Sequence, residues 1–260
     1  MFNTISIIGC GLIGSSVLRA IQNRNLAKEV KIFDLSKEAT AYLKKESICS
    51  NISTDVRHCV KDSDLVIIAT PLSSYKEIIL SIKNDLKKGA ILTDTGSVKK
   101  EVMKIIYNIN LKEVNWIPSH PIAGTEESGP KAGSADMFEN RWCIISPPKN
   151  AEIQSIKILK SLWEAIGSKV KIMTPEEHDE ILSLTSHLPH AIAYNIVRTV
   201  INVEDKLKQE VIQYSAGGLR DFTRIAASNP LMWRDIFMDN NVNISKGIDN
   251  FIEKLQELKK

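Results

Sequence analysis

The first thirty-four residues constrain this chain more than any other stretch. Asn3 to Ile8 is an apolar-rich run of strand length, followed directly by Gly9-Cys10-Gly11-Leu12-Ile13-Gly14. Ser15 to Asn23 reads as a helix, and Val30 to Phe33 as a second strand ending on Asp34. A lone G-x-G-x-x-G run also fits an ordinary glycine-rich turn. Here strand, glycines, helix, strand and acid arrive in order, which predicts a dinucleotide-binding βαβ unit. Gly9 would form the tight turn, Gly11 would admit a pyrophosphate to the backbone, and Gly14 would let the helix pack on the strand. The amides that open the helix, those of Leu12 and Ile13 among them, would face the phosphates, where the helix dipole favours negative charge. Asp34 stands where a carboxylate accepts both ribose hydroxyls and repels a 2′-phosphate, so NAD is expected over NADP. Cys10 is a small filler between the glycines.

Alternation of strand and helix continues from there. Ser36 to Glu46 reads as a helix with Ser36 as its N-cap. Asp64 to Ala69 is a continuous apolar run, as in a strand buried on both faces. Thr70-Pro71 ends it, Ser73 to Asp85 returns as a helix, and Ala90 to Thr93 is a short strand. A helix to about Ile109 follows, then strands at Trp116–Pro118 and Trp142–Ser146. Ile153 to Ile166 reads as a helix stopped by Gly167, and Lys169 to Met173 as a last strand. The pattern predicts an α/β fold, a Rossmann-type doubly wound and mostly parallel sheet. After Thr174-Pro175 the strand signals stop, and helices broken at Pro189, Gly217-Gly218, Pro230 and near Asn240 take over. The expected division is a dinucleotide-binding domain over residues 1–174 and an all-helical domain over 175–260, serving substrate binding and dimerisation. About eighty-five residues bury a limited core, so Ile192, Ile196, Ile212, Leu231, Phe237, Ile248 and Phe251 are expected to serve a subunit interface.

Composition excludes several classes. A net charge of +3 with dispersed basic residues gives no nucleic-acid footprint. No apolar run approaches the roughly 18–20 residues of a membrane span. Met1 to Asn3 lead straight into the first strand, so no signal peptide is expected. The cysteines at 10, 49, 59 and 143 form no metal-ligand spacing, and reduced thiols in the cytoplasm are the simplest account.

Ligands of an open α/β sheet bind outside the carboxyl ends of its strands. Polar clusters after the predicted strands should therefore line one crevice: Thr70-Pro71 beside the cofactor, Asp94 to Lys99, and Ser119 to Pro130. His120, a neutral imidazole near physiological pH, is the first candidate for a base toward a substrate hydroxyl; its alternative is a packing histidine. Ser97 could orient both base and substrate, or cap the next helix. Glu126 and Glu127 could gate the pocket or be solvated loop carboxylates. In the helical part, His187 and His190 share a face, but no HExxH pattern or cysteine pair supports a metal, and none is expected. Arg220 and Arg224, one helical turn apart, suit fork-like binding of a carboxylate, with Asp221 between them. Residue chemistry thus points to a nicotinamide-dependent oxidoreductase with a histidine base and an arginine anchor for an acidic substrate.

The chain resembles the prephenate/arogenate (cyclohexadienyl) dehydrogenase family of tyrosine biosynthesis over essentially its whole length. The stretches that carry the resemblance are GCGLIGSS (9–16), DTGSVK (94–99), SHPIAGTEESGP (119–130), TSHLPH (185–190) and GGLRDFTRIAASNPLMWRDI (217–236). It implies NAD-dependent oxidative decarboxylation of prephenate, a small dicarboxylate, to 4-hydroxyphenylpyruvate. It also implies His120 as the group that takes the proton of the ring 4-hydroxyl and Ser97 as its partner there. His190 is similar to a substrate-contacting histidine, Arg224 to an arginine that grips a substrate carboxylate, and Thr125 and Glu126 to residues bordering the pocket. Asp221 and Trp233 resemble a segment used near the pocket of the adjoining subunit, implying a homodimer built by the helical domain. Some members append a regulatory domain, which is not expected in a chain ending at Lys260.

Other readings stay open at this level. Arogenate, or both acids, could be the substrate; the environment of His190 is the expected discriminator, and a histidine there suits prephenate modestly without excluding arogenate. A β-hydroxyacid dehydrogenase would want a lysine base on the first helix after the boundary, and residues 176–195 contain no lysine. An NAD-sensing protein would use the nucleotide without turnover.

Overall fold

The structure, a computed structural model, describes residues 2–202, 210, 213–214 and 216–260. The chain divides into two compact units, Met1–His178 and Asp179–Lys260, four residues past the boundary expected from the loss of strand signals.

The first unit begins β1 (Phe2–Ile8), α1 (Leu12–Asn23), β2 (Ala27–Phe33), α2 (Lys37–Lys45), α3 (Val56–Val60), β3 (Leu65–Ile68) and α4 (Tyr75–Ile82). It continues β4 (Ile91–Asp94), α5 (Lys100–Ile109), β5 (Asn115–Trp116), β6 (Ser119–Pro121), β7 (Trp142–Ile145), α6 (Ile153–Ala165) and β8 (Lys169–Ile172). Strands β2-β1-β3-β4-β5 form one parallel sheet. Its winding reverses between β1 and β3, the switch point at which an open α/β sheet presents its ligand crevice.

Both faces of this sheet are covered, and the strand sequences alternate accordingly. Ile5 and Ile7 of β1 pair in register with Leu65 and Ile67 of β3 and pack under Val17, Leu18 and Ile21 of α1 and Leu159, Leu162 and Trp163 of α6. Ile8, Val66, Ile68 and Leu92 point to the other face, under Tyr75, Ile79 and Ile82 of α4 and Val102 of α5. Every residue of β3 is buried, as its unbroken apolar run predicts. The Ser36 hydroxyl accepts from Ala39 N and caps α2. Gly167, at φ +100°, ends α6 in the left-handed conformation glycine tolerates.

The chain then leaves the first sheet. The single strand expected at 116–118 is two: β5 adds to the parallel sheet, and past Ile117-Pro118 the chain enters a second sheet ordered β6-β7-β8. There β6 runs antiparallel to β7, and β7 parallel to β8. Cys143 and Ile145 of β7 and Ile117 of the crossing join the same core as α1 and α6, so the second sheet extends the first unit. His120 consequently lies within a strand, not in the loop after one.

The second unit is helical. α7 (Pro175–Leu182) leads across the boundary into a π-turn at Ser183–His187, then α8 (Leu188–Ile201), α9 (Gly217–Ala226), α10 (Pro230–Asp239) and α11 (Asn241–Lys259). Pro189 brings no N–H to the ladder and sits in the first turn of α8, where the missing donor costs least. Asn229 caps α10 through the amides of Leu231 and Met232. α11 packs through Gly247 against Leu184 and Leu188. The buried apolar side chains here are few, chiefly Leu182, Ala193, Trp233, Ile236 and Ile244. Of the expected interface positions, Leu231 is exposed, while Ile192, Ile196, Phe237, Ile248 and Phe251 are half-buried; Ile212 lies outside the described residues. No helix among the described residues is long and apolar enough to cross a membrane.

Candidate active site

The glycine turn divides its labour as the spacing predicts. Gly9 has φ +91°, and a Cβ there would lie 2.7 Å from both Ala69 O and Thr70 Cγ2, so strand β1 turns against the end of β3. A Cβ on Gly14 would lie 2.0 Å from Gly9 O, which makes glycine the only residue that lets α1 sit so close. Gly11 is the opposite case: an added Cβ meets nothing within 4 Å. That open space lies at the N-terminus of a 12-residue helix with no acidic residue in its first turn and no side chain capping it. It is where phosphates fit.

Asp34 closes this corner. Its Oδ2 accepts from Cys10 N at 2.6 Å and its Oδ1 from Ser36 N at 2.7 Å, which fixes the carboxylate at the end of β2 beside the glycine turn. Each oxygen keeps lone-pair capacity for a ribose hydroxyl. Thr70, the residue over Gly9, accepts from the Ser74 hydroxyl at 2.8 Å, and Pro71 begins the turn into α4. Burial, reinforced by Asp34, pushes the Cys10 thiol far up, so it stays a neutral filler.

A second set of residues stands at the ends of β4 and β6. Asp94, the last residue of β4, and Lys99, which precedes α5, form an ion pair of 2.5 Å at zero exposure. The same Asp94 oxygen accepts from Gly96 N at 2.8 Å and from Tyr75 Oη at 3.3 Å. Burial, together with Asp94, keeps the Tyr75 phenol well above its ordinary pKa, so it remains a donor. Lys99 Nζ also donates to the Ser119 carbonyl at 2.7 Å, while the Ser119 hydroxyl donates to Asp94 O. The turn holding half-buried Ser97 is thereby clamped to the strand holding His120. Ser97 is not a helix cap: α5 has Lys99 at its N-cap position and no capping side chain.

His120 is buried, with 9% of its surface exposed. Its Nδ1 lies 2.8 Å from Nε2 of His178 on α7, a fully buried imidazole, and the two rings are tilted at 58°. Sequence reasoning missed His178. The signal it left is positional, since it shares the buried face of α7 with Leu182 one turn on. The loop after β6 runs back over the glycine turn: a Cβ on Gly124 would lie 3.8 Å from Leu12 Cδ2 and 3.9 Å from Ile13 Cδ1. Farther along, Arg19 donates to Pro130 O and Ser16 accepts from Ser134 N. Thr125 and Glu126 lie exposed on this loop, with Thr125 Oγ1 accepting from Glu127 N. One unit therefore joins the dinucleotide turn to the loop that follows the buried histidine.

In the second unit, His190 of α8 lies flat on Trp233 of α10, ring centroids 3.6 Å apart at 18°. Trp233, resembling a residue that serves an adjoining subunit, is thus buried against a histidine of its own chain. His190 Nδ1 is 2.8 Å from Ser186 O; a carbonyl only accepts, so Nδ1 carries the hydrogen. Burial lowers the His190 pKa, partly opposed by that hydrogen bond. The neutral ring therefore offers a bare Nε2. His187 points elsewhere, its Nδ1 3.1 Å from Asn240 Nδ2, and no cluster of metal-ligating side chains occurs among the described residues. Arg220 and Arg224 are both exposed on α9, with Asp221 between them.

A Rossmann-type sheet with an open glycine turn at a helix N-terminus, a fixed carboxylate at the end of β2 and a buried histidine in the same unit defines a class, that of NAD-dependent oxidoreductases with a helical second unit. Residues 17–172 match the prephenate dehydrogenase nucleotide-binding domain and residues 174–260 the prephenate dehydrogenase dimerization domain. A cyclohexadienyl dehydrogenase of Zymomonas mobilis is 38% identical over the whole chain, which spans 88% of that protein. A prephenate dehydrogenase of Bacillus subtilis is 32% identical over the whole chain and 70% of its own length. The crystal structure of prephenate dehydrogenase from Aquifex aeolicus, in complex with hydroxyphenyl propionate and NAD+, superimposes with a TM-score of 0.91 over the whole chain and 90% of that structure at 32% identity. The chain belongs to the prephenate dehydrogenase family.

Proposed function

We propose that this protein converts prephenate to 4-hydroxyphenylpyruvate, with hydride leaving C4 of the ring, carbon dioxide leaving C1 and the ring becoming aromatic. Bound at the glycine turn, the nicotinamide of NAD supplies the hydride acceptor. His120 takes the proton of the 4-hydroxyl through Nε2, the ring nitrogen not engaged with His178. Ser97, on the turn clamped by Asp94 and Lys99, donates to or orients the same oxygen. Arg224 grips a carboxylate of the substrate in the fork geometry a guanidinium offers. Thr125 and Glu126 border the ring from the loop after β6, and His190 contacts the side chain. Thr70 and Pro71 flank the dinucleotide. A homodimer forms through the helical unit, whose exposed apolar side chains support that assembly. Four buried, unpaired thiols suit a reducing cytoplasm.

The observation that carries this reading is the shared placement of His120 and the glycine turn, with the loop between them held against α1. Aromatisation provides the driving force, so the residues have to align the reacting atoms and balance charge at the 4-oxygen.

A second reading, dual use of prephenate and arogenate, is favoured by His190. Its bare Nε2 is an acceptor, which matches the ammonium of arogenate better than the keto group of prephenate. The test is NADH formation, followed by absorbance, with each acid and with NAD or NADP. Turnover of prephenate with NAD supports the proposal, and turnover of arogenate alone overturns the prephenate assignment.

A further inference from the structure

The contact between His120 and His178 does more than fill space. The ring nitrogens meet at 2.8 Å, and when both imidazoles are neutral they share one hydrogen, because two bare nitrogens or two N–H groups facing each other repel. Two arrangements satisfy this. In one, His120 Nδ1–H donates to a bare His178 Nε2, which leaves His120 Nε2 bare and able to take a proton. In the other, His178 donates, His120 carries its hydrogen on Nε2, and the ring cannot act as a base. The two tautomers are close in energy for a free imidazole, so something in the fold must choose between them.

We infer that His178 is a positioning residue that holds His120 in the tautomer with hydrogen on Nδ1. The inference rests on the base assignment given to His120 above. The placement of His178 suits the task. It sits in the second turn of α7, its backbone amide bonded to Thr174 O at 3.0 Å, and its side chain is fully enclosed. His120 is in turn fixed by strand pairing, opposite Ile144 of β7. A strand carries one ring and a helix the other, so their mutual orientation is set by two elements whose backbones are fixed within one unit.

The proton balance is simple. The substrate hydroxyl gives its proton to His120 Nε2 as hydride leaves C4 for the nicotinamide, and takes it back when loss of carbon dioxide makes the ring aromatic, so no proton need cross to His178. The positive charge formed on His120 is shared through Nδ1–H with a neutral acceptor. An acidic partner, as in the hydrolase triads, would do the same with a full negative charge; His178 does it without placing a carboxylate in a pocket meant for an acidic substrate. That difference gives a physical reason for an imidazole at this position.

The test is long-range 1H–15N NMR of 15N-histidine-labelled full-length protein above neutral pH, with assignments from His120→Asn and His178→Gln. The expected spectrum has His120 protonated at Nδ1 and bare at Nε2, and His178 bare at Nε2. A His120 ring protonated at Nε2 would overturn the inference. Kinetics of two variants give the second arm. His178→Leu, which offers no acceptor, should lose about 10–100-fold in kcat with KM little changed, the cost of one hydrogen bond to a charged group. His178→Gln, whose Oε1 can accept from Nδ1–H, should recover most of that loss. Equal losses in Leu and Gln that track thermal stability would reduce His178 to packing and overturn the inference. If His178→Leu fails to fold, the spectrum of the unsubstituted protein still decides. Failure of the underlying base assignment is a separate result, read as wild-type turnover in His120→Asn.

Discussion

The two units of this chain solve the burial problem differently. In the first, β3, β4 and residues Ile5–Ile8 of β1 are buried on both faces, and helices from each side complete two cores that share the sheet. In the second, α9 buries no residue fully and α10 only Trp233 and Ile236. Leu231, Val242 and Leu258 are 63%, 64% and 83% exposed, and Ile252 and Leu255 lie along one exposed side of α11. A parallel sheet sandwiched by helices closes its core within one copy of the chain, whereas a handful of helices leaves apolar surface for another copy to cover. The comparison also separates the chemistry. The glycine turn and the proposed histidine base belong to the unit that closes its own core, and the proposed substrate grips belong to the other.

Substitutions can break or sharpen this contrast. The largest effect is expected at the base of the first unit: His120→Asn should lower kcat by about 10²–10⁴-fold with substrate binding largely spared, read by NADH formation. Next comes the buried pair beneath it. Lys99→Met leaves the Asp94 carboxylate uncompensated and should destabilise the fold by about 3–5 kcal/mol in urea unfolding, with the double variant Asp94→Leu/Lys99→Met costing less than the single. Because that pair lies inside the first unit, the loss should not depend on protein concentration.

The helical unit should respond in the opposite manner. Leu255→Asp places a charge on the exposed side of α11 and should weaken a dimer by about 100-fold or more, seen as monomer in light scattering at micromolar concentration. Its thermal midpoint should then lose the concentration dependence of the parent. The smallest effect concerns His190, whose pKa burial holds below 6.5. Its contribution to stability is fully present above pH 6.5, the unfolded value, and is lost as the pH falls toward the lower folded value, since the unfolded chain then binds the extra proton. The urea midpoint should fall slightly between pH 7.5 and 5, and His190→Gln should flatten that fall.

What was legible in the sequence follows the same division between local and long-range causes. The tight turn at Gly9, the close packing at Gly14, the Ser36 cap and the buried run of β3 each depend on a few neighbouring residues, and each stands where the pattern puts it. The helix starts at Gly217 and Pro230 were readable for the same reason, whereas the break expected at Pro189 is absent: the helical path continues from α7 through the π-turn at Ser183–His187 into α8. The passage from the first sheet to the second at Ile117-Pro118 was not, because strand pairing is decided by partners far along the chain. His178 was hidden likewise: its partner lies fifty-eight residues away, and a lone histidine among acidic neighbours carries no local sign of burial. The Asp94–Lys99 pair sits inside a stretch singled out for Ser97, yet its role as a clamp on Ser119 needs the second sheet to exist.

The most direct measurement is a crystal structure of this protein with NAD and a 4-hydroxyphenyl analogue of the product. The account predicts His120 Nε2 within about 2.6–3.2 Å of the ring 4-oxygen, His178 still bonded to Nδ1, and the Arg224 guanidinium on a carboxylate. An imidazole turned away from that oxygen, or an Arg224 far from any bound acid, would contradict it.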